Sequence, residues 1–502
     1  MSLTSILSVA RTAMNYQQAV IQTAGHNIAN AETEGFSRQR VDAMAAVPQR
    51  FPYGSVGTGV AIDDIRRARD VLLDQSYRRE SSGHGAASLR QELLASVEGV
   101  LGEPSDEGLS AAMDAFWSSW SELANQPTSQ AARSVVQQRA RNVATQLNGM
   151  DARLSELRAQ TATRLDNALT ELNGLAATVA ELNGRIVAAE VGGASANDLR
   201  DQRDLAVDRL SRLGETRVLP QRDGSVTVLL GNNTLVDGVS AQRLQVASDA
   251  NATVELAFAS APGKPILSVG GAVQTLLDFQ NGELAETQER LDALANTLAR
   301  AVNAIHTRGN DGTAGAPYDA LFVDKAADAY AAGDPFAVPP VPGVVTARNI
   351  GLASAIDRDA SRIASTSSRV DRPADNDVAL ALAGLRTASA AVLGGVTLAT
   401  VDFTVVDRST NPAGRKTTPP VSMADFFRTT ASGLASQVKD AESAAAVRKT
   451  LLEQADARRT SVSGVNVDEE LTTLMRAQQA YAAAAKVISA ADEMMQTLIG
   501  MI

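Results

Sequence analysis

The chain has 502 residues, a formal net charge of −11 and no cysteine. An acidic balance with no basic stripe argues against a nucleic-acid binder, and the missing thiols exclude disulfides and thiolate metal sites. Composition is globular, at 44% hydrophobic and 21% charged, with length for about three domains and no apolar run of about eighteen residues to span a membrane.

The first thirty residues read as one helix whose single certain charge is Arg11. Leu3, Leu7, Ala10, Met14, Gln17, Ile21, Ala24 and Ile28 recur at steps of four and three, which makes a heptad seam. A cleavable secretory signal is not expected, because the start is not basic and Arg11, Asn15, Gln17 and Gln18 interrupt the apolar run. The helix is predicted to stop near Ala29-Asn30, before Gly35. Residues 36–62 read as irregular or extended, punctuated by Gly54, Gly57 and Gly59.

Helical periodicity is predicted from Asp64 to about Val100. A second helix carries Leu109, Met113, Phe116, Trp117 and Trp120 on one face. Val143, Leu147, Met150, Leu154 and Leu157 form one heptad stretch; Leu165, Leu169, Leu172, Ala176, Val179 and Ile186 form another. Four extra residues between them make a stutter that locally unwinds a coiled coil. Asn197 to Leu213 completes this helical part. Asp223-Gly224, between Val218-Leu219 and the run Val226 to Leu230, predicts a hairpin, and Gly231-Asn232-Asn233 a second turn. Val254, Leu256 and Phe258, then Ile266, Leu267 and Val269, predict further strands.

Helix is predicted again over 276–307, with Leu284, Leu291, Leu294, Leu298, Val302 and Ile305 in register. In 308–375, Pro335, Pro339, Pro340 and Pro342 are expected to rule out a helix. A short helix near 377–390 and a strand at Phe403-Thr404-Val405-Val406 follow. The last two helices run from about Met423 to Thr460 and from about Asn466 to the end. Val467, Leu471, Leu474, Gln478, Tyr481, Ala485, Ile488, Asp492, Met495, Ile499 and Ile502 repeat the seam pattern of the first helix. Asn466 with Glu469 resembles a capping box, and Asp468, Glu469 and Glu470 suit the positive end of the helix dipole.

The predicted fold class is therefore mainly α with a β-rich insertion. The N- and C-terminal helices pair as an axial coiled coil, beside a helical-bundle middle domain and an outer β or irregular part. Residues 1–62 plus 463–502 form the axial domain. Residues 63–307 plus 376–462 form the middle domain, with its β-hairpin part near 215–270. Residues 308–375 form a small variable outer insertion. One shared seam does not offset the entropy of ordering about seventy terminal residues, so the axial domain is predicted to be disordered in the free monomer.

Chemistry is not indicated. His26, His84 and His306 lack metal-ligand spacing, and His26, beside the first seam, reads as a packing or hydrogen-bonding residue. Gly57-Thr58-Gly59 is too short for a phosphate loop, and no Gly-x-Ser-x-Gly elbow exists. Consecutive Asp468, Glu469 and Glu470 point to different helix faces and make no acid-base pair. Trp117 and Trp120 fit a packing core better than a ligand platform. No catalytic, cofactor-binding or metal residue is predicted, no cofactor, and no enzyme activity.

The segment Asn27-Ile28-Ala29-Asn30-Ala31-Glu32-Thr33-Glu34-Gly35-Phe36 resembles the motif that ends the first helix of bacterial flagellar axial proteins (rod, hook and hook-associated). Its continuation Ser37-Arg38-Gln39-Arg40 resembles the hook-associated protein 1 branch of that family, as do Ser463 to Glu470, Gln478 to Tyr481, Ala485 to Ile488 and Ala491 to Met495. Asp70 to Arg78 and Leu276 to Phe279 match loosely. Glu34 departs from the pattern, which often has proline there. The resemblance implies a structural subunit exported unfolded by the flagellar type III apparatus. It implies a first hook–filament junction layer, extracellular on the flagellum, important to flagellum assembly and motility. It implies partners: further copies in a helical ring, hook protein, hook-associated protein 3 and an export chaperone on the C-terminal region, with neither nucleic acid nor membrane insertion. The implied family motif is Asn27, Asn30, Gly35, Phe36, Ser37, Arg38 and Gln39. The implied axial interface is Leu3, Leu7, Met14, Ile21, Ile28, Leu471, Leu474, Tyr481, Ile488, Met495 and Ile499. Rival readings are hook-associated protein 3, hook protein, a secreted adhesin or hydrolase on a coiled-coil stalk, and a cytoplasmic coiled-coil scaffold.

Overall fold

The computed structural model describes all residues except 1–2, 52–53, 194, 249–252, 310–317, 334, 336–340, 368–374, 407–414 and 501–502. In chain order, α1 (Leu3–Ala29) leads into β1 (Gln39–Ala45), β2 (Gln49–Phe51), β3 (Gly54–Val56) and β4 (Val60–Arg67). Four helices follow: α2 (Val71–Leu101), α3 (Leu109–Asn125), α4 (Gln130–Glu190) and α5 (Asn197–Leu213). Then come β5 (Thr216–Pro220), β6 (Val226–Leu230), β7 (Asn233–Asp237), β8 (Ser240–Ala241), β9 (Leu244–Ser248) and β10 (Val254–Phe258). After α6 (Gly271–Asn281) and α7 (Glu283–His306) come β11 (Phe322–Asp324), β12 (Ile350–Leu352), α8 (Ser354–Arg358) and α9 (Asp377–Gly384). The chain ends with β13 (Ala390–Leu393), β14 (Val396–Thr400), β15 (Thr404–Val406), β16 (Arg415–Thr417), α10 (Met423–Ser463) and α11 (Val467–Gly500). The class is mainly α with small strand-rich insertions, as the periodicities predict.

The chain forms two compact units. One comprises 1–86, 167–274 and 446–502; the other comprises 87–166 and 275–445. In the first unit α1 packs along α11, and the antiparallel pair β1–β4 lies against α1. The antiparallel sheet β5-β6-β7-β8 is pinned to the C-terminal half of α4. There the Asn183 carboxamide donates to the Val226 and Gly238 carbonyls at 2.9 and 2.7 Å and accepts from the Val226 N–H at 3.1 Å. Leu172, Val179, Ile186, Val207, Leu210, Val228 and Val236 form its aliphatic core. In the second unit α3 packs on α9, and α7 lies against β13, β14 and β15. Trp117 and Trp120 are wholly inside its core, with Phe116 edge-on to Phe322 at 5.8 Å.

Several boundaries differ from the expectations. Residues 60–67 pair with β1 as a strand, so helix begins only at Val71. There Asp70 accepts from the Leu72 and Leu73 N–H groups at 2.8 and 3.3 Å and caps the helix. The helix predicted over 276–307 is two, because the chain breaks at Gly282. A Cβ there would lie 2.6 Å from the Asp278 carbonyl oxygen, so only glycine fits. The predicted helix 377–390 ends at Gly384, and a hairpin turning on Gly394-Gly395 follows. Residues 266–269 form no strand; Ile266 only donates a backbone hydrogen bond to Leu256 at 2.7 Å. The short α8 contradicts the expectation that 308–375 lacks helix, since it starts well past the prolines. α4 runs unbroken for 61 residues. Buried Thr161 fills the stutter, its hydroxyl donating to the Leu157 carbonyl at 2.8 Å.

Candidate assembly interface

α1 and α11 run antiparallel, and the apolar positions they bury most deeply are small. These are Ala10 and Ala24 on α1, and Ala477 and Ala491 on α11. The larger residues of the predicted seam sit at the margins. Leu7, Met14, Ile21 and Ile28 are half-buried, as are Leu474, Tyr481, Ile488 and Met495. Leu471 is 44% exposed and Ile499 68%. Only the helical backbone of Leu3 is described, so its side-chain role lies outside the described residues. The deepest line of α11 is Glu470, Ala477 and Ala491, one position ahead of Leu471, Gln478 and Asp492, all of which are exposed. With Val467, Met475, Val487 and Met494 also exposed, the pair carries an apolar surface that its own two helices do not cover. Such uncovered surface on a helix pair is the mark of a binding face.

At its base the pair is held by polar contacts, and these come from the family motif. Asn27, 1% exposed, turns its carboxamide on β1. It donates to the Gln39 carbonyl at 2.8 Å and accepts from the Gln39 N–H at 2.9 Å. The same amide nitrogen donates to Glu470 at 3.0 Å, and Glu470 is 3% exposed. Arg38 neutralises that buried carboxylate, Nε to Oε1 at 2.7 Å, and reaches Glu469 at 3.2 Å. The Arg38 N–H donates to the Ser463 carbonyl at 2.8 Å. Asn466 caps α11 through the Asp468 and Glu469 N–H groups at 3.0 and 3.3 Å. The reciprocal half of the predicted capping box is missing, because Glu469 turns to Arg38 instead.

The rest of the motif docks on α5. Asn30 closes α1 by donating to the His26 carbonyl at 3.0 Å. Gly35 has φ +82°, and a Cβ there would meet Leu205 of α5 at 3.0 Å, so both backbone and space call for glycine. Phe36 stands edge-on to His26 at 5.3 Å, and His26 Nε2 lies 3.4 Å from Asp198. Ser37 donates from its hydroxyl and its N–H to Asp201 at 2.7 and 3.0 Å. The Gln39 side chain donates to Asp198 at 3.0 Å. Glu34, where the family often has proline, pairs with Arg209 at 2.9 Å.

α5 presents Asp198, Asp201, Asp204 and Asp208 in succession, and sequence reasoning did not single them out. Arg67 meets Asp201 and Asp204 at 2.8 Å each, and Arg69 meets Asp204 at 2.9 Å and Asp74 at 2.8 Å. Arg78 and Arg459 meet Asp208 at 2.6 Å each, and the Arg459 guanidinium lies 3.5 Å over the Tyr77 ring. Burial raises the Asp204 carboxyl, but Arg69, Arg67 and Arg78 outweigh it and hold it at about 2. Burial pushes Asp201 up against the opposing pull of Arg67 and Ser37. The spacing of the aspartates at three and four residues was the available signal. Without the arginines, which come from the end of β4, the link that follows it, α2 and α10, it reads as an ordinary solvated helix face.

Among the described residues, no helix is long and apolar enough to cross a membrane. The chain matches the model of the flagellar hook-associated protein FlgK helical domain over residues 94–322, and that of the flagellar basal body rod FlgEFG protein C-terminal over 458–501. It is 27% identical to flagellar hook-associated protein 1 of Bacillus subtilis, covering 98% of this chain and 97% of the relative. It is 25% identical to the proteins of that name from Salmonella typhimurium and Escherichia coli, covering 99% of this chain and 100% of each relative. The fold is like that of the flagellar hook junction protein FlgK from Burkholderia pseudomallei. The TM-score is 0.61 at 17% identity, covering 78% of this chain and 100% of that one. Motif, fold and full-length relatives agree in one likeness: the chain is similar along its length to flagellar hook-associated protein 1.

Proposed function

We propose that this chain assembles into the first hook–filament junction layer of the bacterial flagellum through the uncovered faces of α1 and α11. It is a structural subunit of the flagellum, an exported component, and its family is one of structural flagellar proteins. The observation that carries the assembly reading is the contrast within one helix pair. Its base is closed by buried polar contacts, while its large apolar side chains stay half-covered or exposed. A subunit finished on its own would bury them; a lattice subunit keeps them for neighbours.

Self-association and flagellar partners follow from the axial family. Hook protein and hook-associated protein 3 as the two axial neighbours, and an export chaperone covering the C-terminal helix before assembly, extend this reading. In the same reading residues 1–62 plus 463–502 act as the axial domain, and the chain performs no catalysis. Leu7, Met14, Ile21, Ile28, Leu471, Leu474, Tyr481, Ile488, Met495 and Ile499, with Leu3, supply the contacts between copies. Deleting residues 466–502 tests this by electron microscopy of the cells. The expected result is export of the truncated chain and hooks without filaments; normal filaments overturn the proposal.

A further inference from the structure

Within the first unit, a cavity of about 550 Å³ opens between α2, the end of α4, α5 and the Asp223-Gly224 hairpin tip. Its lining includes six arginines and four carboxylates. Those carboxylates are largely committed. Glu190 is held by Arg200 at both oxygens, at 2.7 and 2.6 Å. Asp74 is held by Arg69, and Asp223 accepts from Ser225 at its own turn.

Arg203 is left without a close counter-charge. It is 4% exposed, and its nearest carboxylate oxygen, on Asp204, is 4.0 Å away. Its Nη1 donates to two neutral oxygens, those of Asn183 at 3.1 Å and Gly224 at 2.8 Å, while its Nε has no hydrogen-bond partner among the described residues. Arg78, 5% exposed, spends its Nε on Asp208 at 2.6 Å and leaves Nη2 without a hydrogen-bond partner among the described residues. Arg222 stands at the exposed rim with no ion pair among the described residues. Asp204 serves Arg67 and Arg69 closely and Arg78 and Arg203 distantly; Arg67, Arg69 and Arg78 have second partners in Asp201, Asp74 and Asp208, whereas Arg203 has none as close. A buried guanidinium lacking a counter-ion, with donors unused, is costly. Burial pulls Arg203 down to about 10, helped by the neighbouring Arg67 and Arg200 and opposed by Asp204.

We propose that this cavity is a binding site for a small oxyanion of the phosphate or carboxylate class, seated among Arg203, Arg78 and Arg222. Guanidinium donors match the planar or tetrahedral oxygens of such groups, and charge-assisted hydrogen bonds supply the affinity. The oxyanion can come as a free ion or as an acidic side chain of a second copy; the chemistry is the same.

Inorganic phosphate added to the full chain, against sodium chloride at matched ionic strength, tests the site by thermal melting and calorimetric titration. Saturable stabilisation beyond chloride is expected, with affinity about tenfold weaker in Arg203→Gln. Arg222→Gln, at an exposed rim position that folding does not depend on, is expected to weaken binding by a smaller factor and serves if Arg203→Gln does not fold. Sedimentation separates the sources. Phosphate that binds and leaves self-association unchanged assigns a free ion; phosphate that binds and dissociates assembled copies assigns a neighbour's carboxylate. Absence of saturable binding, or unchanged affinity in Arg222→Gln, overturns the proposal.

Discussion

Asn27 donates to Glu470 at 3.0 Å across a sequence separation of 443 residues, and both side chains are buried. This bond ties the end of the first helix to the start of the last. The same carboxamide holds both backbone groups of Gln39, so one residue fixes two helices and a strand. Asn27→Ala leaves the Gln39 N–H and carbonyl and one Glu470 oxygen unpaired in a buried place. The expected cost is about 2–3 kcal/mol of stability, measured by urea denaturation. Within that clasp, Arg38→Gln leaves Glu470 buried without its cation, and the double variant Arg38→Gln with Glu470→Gln is expected to recover most of the loss.

Acid is expected to loosen the α5 clasp. The Asp204 carboxyl is held at about 2, below its ordinary 3.8, so its ionised form favours the fold. That contribution is complete above pH 3.8, is lost as pH falls towards 2, and is worth about 2 kcal/mol. Denaturation of the wild type and Asp204→Asn between those limits should show the wild-type slope shrink in the variant.

Two titratable groups in the second unit oppose each other with pH. His306 Nδ1 faces the Asp319 carbonyl at 2.9 Å and Nε2 accepts from the Ala364 N–H at 3.1 Å, which fixes a neutral ring. Burial takes His306 from 6.5 to about 4, so its contribution falls as pH drops through that range. Burial raises Asp292 from 3.8 to about 7, so its contribution falls as pH rises through that range. The wild type should therefore be nearly flat in stability across the overlap. Asp292→Asn, which keeps the acceptor for the Ala347 N–H, should be more stable by up to about 4 kcal/mol above pH 7 and should unmask the His306 slope. Tryptophan fluorescence reads the transition directly, because Trp120 lies 6.3 Å from His306.

Hydrogen exchange on the free chain should show amides least protected far from the clasp, at the start of α1 and the end of α11. There the pair rests on alanine contacts and shares one seam. Strong protection along residues 1–20 and 480–500 contradicts the proposal that this pair orders on assembly.

The parts legible in the sequence were those with local periodicity or chemistry. The heptad seams gave α1, α4 and α11, Asp223-Gly224 gave its hairpin, and the motif gave the family resemblance. Three kinds of feature were not legible. The break at Gly282 depends on one backbone clash inside a continuous helical pattern. The start of α2 depends on β1, thirty residues upstream, claiming residues 60–67 as its partner strand, which periodicity alone cannot see. The phase of α11 turned on Glu470, a charged residue that an apolar pattern skips, although Arg38 and Asn27 make it the best-buried position of that helix's first turn. Likewise the aspartates of α5 gain their meaning only from arginines distant in sequence.

The central claim is that the apolar side chains left uncovered on α11 exist for neighbouring subunits. The variant Leu471→Asp with Ile499→Asp changes two residues that are 44% and 68% exposed, so the fold of the free chain should be unaffected. In cells lacking the native chain, placing two charges in a seam between copies should block assembly. Electron microscopy of cells making this variant should show exported protein and hooks without filaments, with an unchanged melting temperature for the purified chain. Normal filaments on those cells would contradict the account.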